Sequence, residues 1–193
     1  YAAGQRIFGE SRPQELAAKY EALPKDIEWH MIGHLQTNKV KLIAPFVALI
    51  HSADSERLIR VINDEAIRNG RVIDILLEIH VADEETKSGW TYDALLKYVK
   101  SGALAAMKGV RVRGVMGIAT YTSNEFRVRL DFELLQQYKK ELEAYFDSSF
   151  DTLSMGMSDD YPLALDYGTT MVRIGSLIFG KRDYAAAEKE ATV

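Results

Sequence analysis

Short runs of β-branched and other apolar residues alternate regularly with helical patterns along the chain. Seven runs are typical of strands, and several are apolar on both faces, as expected for a parallel sheet covered by helices. These runs are residues 6–9, 28–32, 47–51, 73–81, 110–118, 150–154 and 171–174. The pattern therefore predicts a strand followed by a helix, repeated along the chain.

The helical patterns between these runs have recognisable ends. Pro13 suits the first turn of a helix, where a missing N–H costs nothing, and Thr91 can cap another helix. Gly70, Gly102 and Gly168 can each close a helix in the left-handed conformation. Apolar positions three and four apart predict the buried helix faces, namely Leu16, Tyr20, Leu23, Leu58, Ile59, Ile62, Ala66, Leu95, Leu96, Val99, Phe132, Leu135, Leu142 and Tyr145.

Two architectures are built from such repeats, the open doubly wound sheet and the closed (β/α)₈ barrel. The strings G-x-G-x-x-G and G-x-x-x-x-G-K-[ST], which mark nucleotide-binding versions of the open sheet, do not occur. A barrel typically has about 250 residues and eight strands, whereas 193 residues here carry seven units. Residues 1–4 resemble the tail of a helix. We therefore expect one domain over residues 1–193, a (β/α)₈ TIM-type barrel whose first βα unit lies upstream of Tyr1.

Composition excludes several classes of protein. The chain has no cysteine, so it has no disulfide, thiolate nucleophile or cysteine-ligated zinc. No apolar run approaches the roughly 20 residues that a membrane span requires, and a net charge of −4 argues against a nucleic-acid partner. The four histidines lack a clustered carboxylate pattern, so we expect no metal site. We expect a cytoplasmic monomer.

The loops after the last two strand candidates carry the first indication of a ligand. In barrels, phosphate groups often bind the loops that follow strands seven and eight. Here these loops are residues 154–159 and Gly175-Ser176, where hydroxyls and glycines let backbone N–H groups face an anion. Small residues also make ordinary βα turns, so a phosphorylated ligand and a plain turn both stay open. Arg173, at the inner end of the last strand, should face a ligand or a carboxylate, because an unpaired buried guanidinium is unfavourable.

Motifs spread over the whole chain resemble, in order, the signatures of the pyridoxal phosphate homeostasis protein family. They are Phe8-Gly9-Glu10, residues 29–39, residues 85–89, Arg113-Gly114-Val115-Met116, residues 153–158, residues 172–175 and residues 178–184. The resemblance implies a barrel similar to the N-terminal domain of alanine racemase, with pyridoxal 5′-phosphate (PLP) in its mouth. It also implies that Arg173 faces the pyridine nitrogen. The phosphate would be held by Gly175, Ser176, Ser154 and the turn Met155-Gly156-Met157-Ser158.

One element of the family pattern is absent from this sequence. In the family a Schiff-base lysine stands on the first strand, in a motif like V-S-K-T-K, so we expect it upstream of Tyr1 and assign no catalytic residue. Lys39 and Lys87 follow strand candidates, and we expect them to bind anions or to face water. Polar residues near other strand ends are candidates for lining the pocket, namely Glu10, Ser11, His34, Asn38 and Lys87.

The resemblance also bears on catalysis. An arginine opposite the ring nitrogen disfavours its protonation and weakens the cofactor as an electron sink. Racemases of this fold offset this loss with a second base from an added domain, and this sequence shows no such domain after Tyr184. We therefore expect a PLP-binding protein that buffers or delivers the cofactor to apoenzymes without robust catalysis of its own. A PLP-dependent amino-acid racemase is the alternative, and a family member that has lost cofactor binding is a third possibility.

Overall fold

Seven parallel strands form one sheet in the computed structural model, which describes residues 1–84 and 86–180. The strands are β1 (Ile7–Glu10), β2 (Glu28–Met31), β3 (Leu49–Ala53), β4 (Ile73–Glu78), β5 (Val110–Met116), β6 (Thr152–Met157) and β7 (Met171–Arg173). Their order in the sheet is their order in the chain. A doubly wound sheet reverses its strand order part-way along, whereas a barrel does not. The predicted fold class is confirmed: the described strands form a nearly closed α/β barrel of the TIM type.

Helices connect the strands in the described part of the chain. They are α1 (Pro13–Ala22), α2 (Val40–Ile43), α3 (Glu56–Arg68), α4 (Tyr92–Lys100), α5 (Glu125–Leu142), α6 (Tyr161–Leu165) and α7 (Ser176–Phe179), with single 3₁₀ turns at Thr37–Lys39 and Glu143–Tyr145. Two of the quoted motifs extend beyond this part, because Glu85 and residues 181–184 lie outside the described residues. Within residues 1–84 and 86–180, no helix combines the length and the apolar character that crossing a bilayer would require.

The predicted helix ends are largely confirmed. Pro13 begins α1, and the Thr91 hydroxyl accepts the Ala94 N–H at 3.4 Å. Gly70, Gly102 and Gly168 all have positive φ, as their predicted role requires. Two expectations on buried faces were wrong, because Leu23 and Tyr145 are 42% and 44% exposed.

Both errors arise where a helix ends earlier than its apolar pattern. Leu23 is the residue after the last turn of α1, with extended backbone. Tyr145 lies in the 3₁₀ turn that follows α5, and the tighter winding changes which residues face inward. Residues 1–4 form a turn rather than a helix, in which the Gly4 N–H donates to the Tyr1 carbonyl at 3.0 Å.

The apolar core lies between the strands and the helices, and a second, smaller cluster fills part of the barrel interior. Leu49, Leu76 and Met116 form this inner cluster. Since side chains alternate along a strand, the residues two positions further along β3 and β4 face the same interior. Those residues are His51 and Glu78, so the interior is polar towards the carboxyl ends of the strands.

The amino ends of the strands, called here the bottom of the barrel, carry a network of ion pairs. Arg113 lies 3.0 Å from Asp74 and 3.1 Å from Asp151, and Arg111 also binds Asp74. Gly114 of β5 has φ +154, and a Cβ there would lie 1.8 Å from the Thr152 carbonyl oxygen of β6. Only glycine therefore lets β5 and β6 pair at this point.

Candidate functional site

The loops after β6 and β7 meet at the carboxyl ends of the strands, called here the top of the barrel. The Ser158 hydroxyl accepts the N–H of Gly175 at 3.2 Å and that of Leu177 at 3.4 Å. Two backbone donors from one loop therefore point at a single oxygen atom from the other. Such convergent N–H groups are the usual means of binding a phosphate oxygen. The structure thus brings together two segments that the sequence predicted to share a ligand.

Two glycines of these loops differ in what requires them. Gly156 has φ +91, and a Cβ there would lie 2.8 Å from the Ala164 side chain of α6. The fold itself therefore requires Gly156. Gly175 has φ −115, which any residue can adopt, and a Cβ there would meet nothing within 4 Å. The open space at Gly175 lets a ligand approach the backbone closely, and together with the N–H groups it fits a phosphate group.

Arg173 ends β7 with its guanidinium inside the top of the barrel. It donates to the Ser154 hydroxyl at 2.7 Å and to the carbonyl oxygens of Ser154 and Gly117 at 3.0 Å each. No carboxylate among the described residues forms an ion pair with it, so donor capacity remains for a ligand. Burial lowers the pKa of Arg173 to about 10, against the attraction of Asp160 and Glu78. The guanidinium therefore stays charged at neutral pH.

The remaining predicted phosphate ligands take different positions. The Ser154 side chain is buried inside the barrel, where its hydroxyl contacts Arg173 and His51 rather than the loop surface. Met155 is fully buried, so only its backbone could face a ligand. Ser176 is exposed and begins α7. A role for these three residues in phosphate binding stays a prediction.

His34 and Asn38 line an open cleft of about 570 Å³ at the top of the barrel. In this cleft the His34 Nδ1 lies 3.3 Å from an Asp54 carboxylate oxygen. Lys87 lines a smaller cavity of about 200 Å³ that Glu78 also lines. The five candidate lining residues therefore do not share one cavity.

Glu10 and Ser11 line neither of these two cavities. Glu10 ends β1, is buried, and forms an ion pair with Lys19 of α1. Ser11 is exposed and packs its backbone against Gly33, where a Cβ would come within 2.4 Å of the Ser11 carbonyl oxygen. A ligand-binding role for either residue stays a prediction.

The Lys87 side chain contacts its own loop and the loop that follows β5. Its Nζ lies 2.9 Å from a Glu84 carboxylate oxygen and donates to the Ala119 carbonyl at 2.9 Å. The ammonium group is therefore engaged in the structure, and a role for Lys87 towards a ligand stays a prediction.

Glu78 is a further candidate site residue that the sequence analysis missed. It ends β4, is 4% exposed, and accepts the Ser88 hydroxyl on Oε1 at 2.8 Å. Its Oε2 is buried without a hydrogen-bond partner among the described residues. Burial raises the pKa of Glu78, and Asp54 raises it further, whereas Ser88 and Arg173 oppose the rise. The available signal was a carboxylate directly after the apolar residues Ile75-Leu76-Leu77 of β4.

Comparisons with known proteins show the family of this chain. A family model described as the alanine racemase N-terminal domain matches residues 1–183. A pyridoxal phosphate homeostasis protein of Aquifex aeolicus is 42% identical over 185 residues, which are 95% of this chain and 80% of the relative. One of Schizosaccharomyces pombe is 36% identical over 94% of this chain and 77% of its own length. This chain belongs to the pyridoxal phosphate homeostasis protein family.

Solved structures place the family among barrels of known shape. PipY of Synechococcus elongatus, whose structure has PLP bound, is 33% identical to this family member with a TM-score of 0.82, over 93% of this chain and 84% of PipY. The alanine racemase of Streptomyces coelicolor has a TM-score of 0.67 at 14% identity, over 91% of this chain and 46% of the racemase. At that identity the likeness shows a shared barrel alone.

Proposed function

We propose that this protein binds PLP at the top of its barrel and buffers or delivers the cofactor, in the cytoplasm and as a monomer, without robust catalysis of its own. The observation that carries the proposal is the convergence of the Gly175 and Leu177 N–H groups on one oxygen atom, beside open space at Gly175. PLP-bound PipY and the names of the curated relatives support PLP as the ligand.

Different residues would contact the phosphate and the ring of PLP. The two N–H groups and the Ser158 hydroxyl would hold the phosphate, and Arg173 would face the pyridine ring. PLP, when bound, supplies an aldehyde that reacts with amines and a ring that withdraws electrons. Because Arg173 is charged at neutral pH, it opposes a second positive charge on a nearby ring nitrogen. That opposition supports a role in carrying the cofactor rather than in using it.

Ser158 lowers the net free energy that a bound phosphate would gain from this loop. Its hydroxyl accepts the same two N–H groups that would bind a phosphate. Binding of a phosphate would replace the Ser158 oxygen by a phosphate oxygen as the acceptor. The net free energy of binding is therefore smaller than it would be if the two N–H groups had no partner. A carrier benefits from such a site, because the cofactor must leave again for an apoenzyme.

Titration of the 193-residue chain with PLP, pyridoxal and pyridoxine 5′-phosphate tests the binding proposal. We expect the two phosphorylated compounds to bind at least tenfold more tightly than pyridoxal, since the proposed contacts are mainly to phosphate. Equal affinities for PLP and pyridoxal, or no binding of PLP at millimolar concentration, would contradict the proposal. Absorbance and fluorescence titrations measure both outcomes.

Two further measurements separate the carrier from the racemase alternative. Incubation of the PLP-loaded chain with an apoenzyme that requires PLP should restore the activity of that enzyme. A racemisation assay over a panel of amino acids should show no turnover at ordinary enzymatic rates of about 1 per second or more. Turnover at such rates would replace the carrier by an enzyme.

A further inference from the structure

A continuous series of hydrogen bonds crosses the barrel interior from bottom to top. Arg173 donates to the Ser154 hydroxyl at 2.7 Å, and that oxygen lies 3.1 Å from Nδ1 of His51. Nε2 of His51 lies 3.1 Å from Nδ1 of His30, and Nε2 of His30 lies 3.2 Å from a Glu28 carboxylate oxygen. We call these five residues the polar file. Because β3 and β6 are not neighbours in the sheet, the bond between His51 and Ser154 has to span the interior.

Burial requires every donor of the polar file to have an acceptor. His51 and Ser154 are 0% exposed and His30 is 3% exposed. An unpaired buried donor is unfavourable, so the hydrogen positions are set by the requirement that all bonds are made.

The two ends of the polar file fix its direction. Arg173 has only donors and the Glu28 carboxylate only accepts. With both imidazoles neutral, the Ser154 oxygen therefore accepts from Arg173 and its O–H donates to Nδ1 of His51. His51 then carries its proton on Nε2 and donates to Nδ1 of His30. His30 in turn carries its proton on Nε2 and donates to the carboxylate of Glu28, which only accepts. The two neutral imidazoles are therefore in the same tautomer.

The surrounding charges agree with neutral imidazoles. Burial is the main reason that the pKa of His51 lies well below 6.5, and the nearby His30 and Arg173 lower it further. Burial also lowers the pKa of His30, although Glu28 and Asp74 attract a proton there. A charged His30 would donate from Nδ1 and reverse the bonds between it and Ser154.

We propose that His51 is a positioning residue for Arg173. By accepting the Ser154 O–H, it keeps the lone pairs of the Ser154 oxygen turned towards the guanidinium, and His30 with Glu28 holds His51 in the tautomer that can accept. This inference rests on the proposed function for the role of Arg173 at the cofactor ring. It adds that the position of Arg173 depends on hydrogen bonds that begin at Glu28, at the bottom of the barrel.

Nitrogen NMR of the cofactor-free chain tests the polar file without any ligand. In a long-range ¹H–¹⁵N spectrum at pH 7, with resonances assigned through bonds, His30 and His51 should both be neutral and protonated on Nε2. The exposed His34, which lies outside the polar file, provides a reference signal in the same spectrum. A proton on Nδ1 of His51, or a charged His51 at this pH, would overturn the proposal.

Variants test whether His51 acts through Ser154. His51→Leu removes the acceptor and should weaken PLP binding about tenfold, the size expected for one hydrogen bond that orients a charged group. His51→Asn keeps an oxygen near the position of Nδ1 and should regain most of the lost affinity. Ser154→Ala should weaken binding as much as His51→Leu does, and the double variant should be no weaker than either single one.

Additive losses in the double variant, or an equal loss in His51→Asn and His51→Leu, would contradict the positioning role and indicate a general packing effect. Thermal unfolding of each variant shows whether it is folded under the conditions of the titration. If the unchanged chain binds no PLP, the proposed function fails, and the tautomers measured by NMR still decide whether the polar file exists.

Discussion

Two strand arginines at opposite ends of the barrel have opposite surroundings. Arg113, at the bottom, has ion pairs with Asp74 and Asp151 and donates to a backbone carbonyl at 2.9 Å. Arg173, at the top, contacts two carbonyl oxygens and a hydroxyl, with no ion pair to a described carboxylate. The bottom of the barrel therefore neutralises its charges internally, whereas the top keeps a cation available for a ligand. The same residue type forms internal ion pairs at one end and belongs to the proposed binding site at the other.

Two glycines, one at each end of the barrel, differ in the same way as the two arginines. Gly114, at the bottom, has positive φ and no room for a Cβ, whereas Gly175, at the top, has an ordinary backbone conformation and open space. The largest effect is expected for Gly114→Ala, because the new Cβ would collide with the carbonyl of β6 in a strained conformation. We expect a loss of about 4 kcal/mol or more of unfolding free energy. Thermal unfolding by circular dichroism measures it, and a melting temperature within 2–3 °C of the unchanged chain, about 1 kcal/mol, would contradict the assignment.

Arg113→Gln and Arg173→Gln form a matched pair. Arg113→Gln leaves Asp74 with fewer partners and should cost about 2 kcal/mol, or roughly 4–8 °C in melting temperature, with little change in PLP affinity. Arg173→Gln should instead weaken PLP binding about tenfold or more with little loss of stability. Thermal unfolding and PLP titration of both variants provide the measurements. The reverse pattern would show that the two ends do not differ as described.

Gly175→Ala tests the top of the barrel without touching a charge. The methyl group should enter the space that the phosphate uses and weaken PLP binding about tenfold, which corresponds to about 1.4 kcal/mol. Its melting temperature should match that of the unchanged chain, because nothing in the structure contacts the added atom. Unaltered PLP affinity in a folded Gly175→Ala variant would remove the loop from the binding site.

The pH dependence of stability probes the interior that joins the two ends. The pKa values of His30 and His51 are lowered in the folded state, so below pH 6.5 the unfolded chain binds more protons than the folded chain. Stability should therefore fall as the pH falls from about 6.5, by up to about 1.4 kcal/mol per pH unit for each histidine. Glu78 acts in the opposite direction, because its pKa is raised in the folded state. Its contribution to the free energy of unfolding therefore grows as the pH falls towards the pKa that Glu78 has in the unfolded chain.

A variant isolates the histidine contribution from that of Glu78. Urea unfolding between pH 7 and pH 5 should show a shallower loss of stability in His51→Asn than in the unchanged chain. His34→Gln is the control, because His34 is exposed and lies outside the polar file. Equal slopes for the unchanged chain and His51→Asn would show that His51 does not stay neutral in the folded state.

Local sequence patterns predicted most of the fold. All seven predicted strands exist, because β-branched runs bounded by turns leave few alternatives at a length of three to seven residues. The single-turn helices α2 and α7 were missed, since one turn is too short to show a period. Residues 154–158 and 173–176 could be proposed for the site because small residues and an arginine at strand ends are visible in the sequence.

Side-chain direction was the part that local patterns could not predict. Ser154 was expected on a phosphate loop, yet its hydroxyl bonds to His51, which is 103 positions away in the chain. That contact depends on the alternation of two strands that do not pair with each other. Glu78 was missed for the same reason, because whether a carboxylate at a strand end faces inward depends on the register of the whole barrel.

The sequential strand order has a consequence for how the chain folds. Each strand pairs with the next one along the chain, so most sheet contacts join adjacent βα units, and sheet formation requires only modest loop closure. The bonds of His51 to Ser154 and of Arg173 to Gly117, by contrast, close loops of 103 and 56 positions. We expect low φ-values for residues of the barrel interior and higher ones for neighbouring strand pairs such as β4 and β5. The binding site would then be among the last regions to form during folding, after the scaffold that positions it.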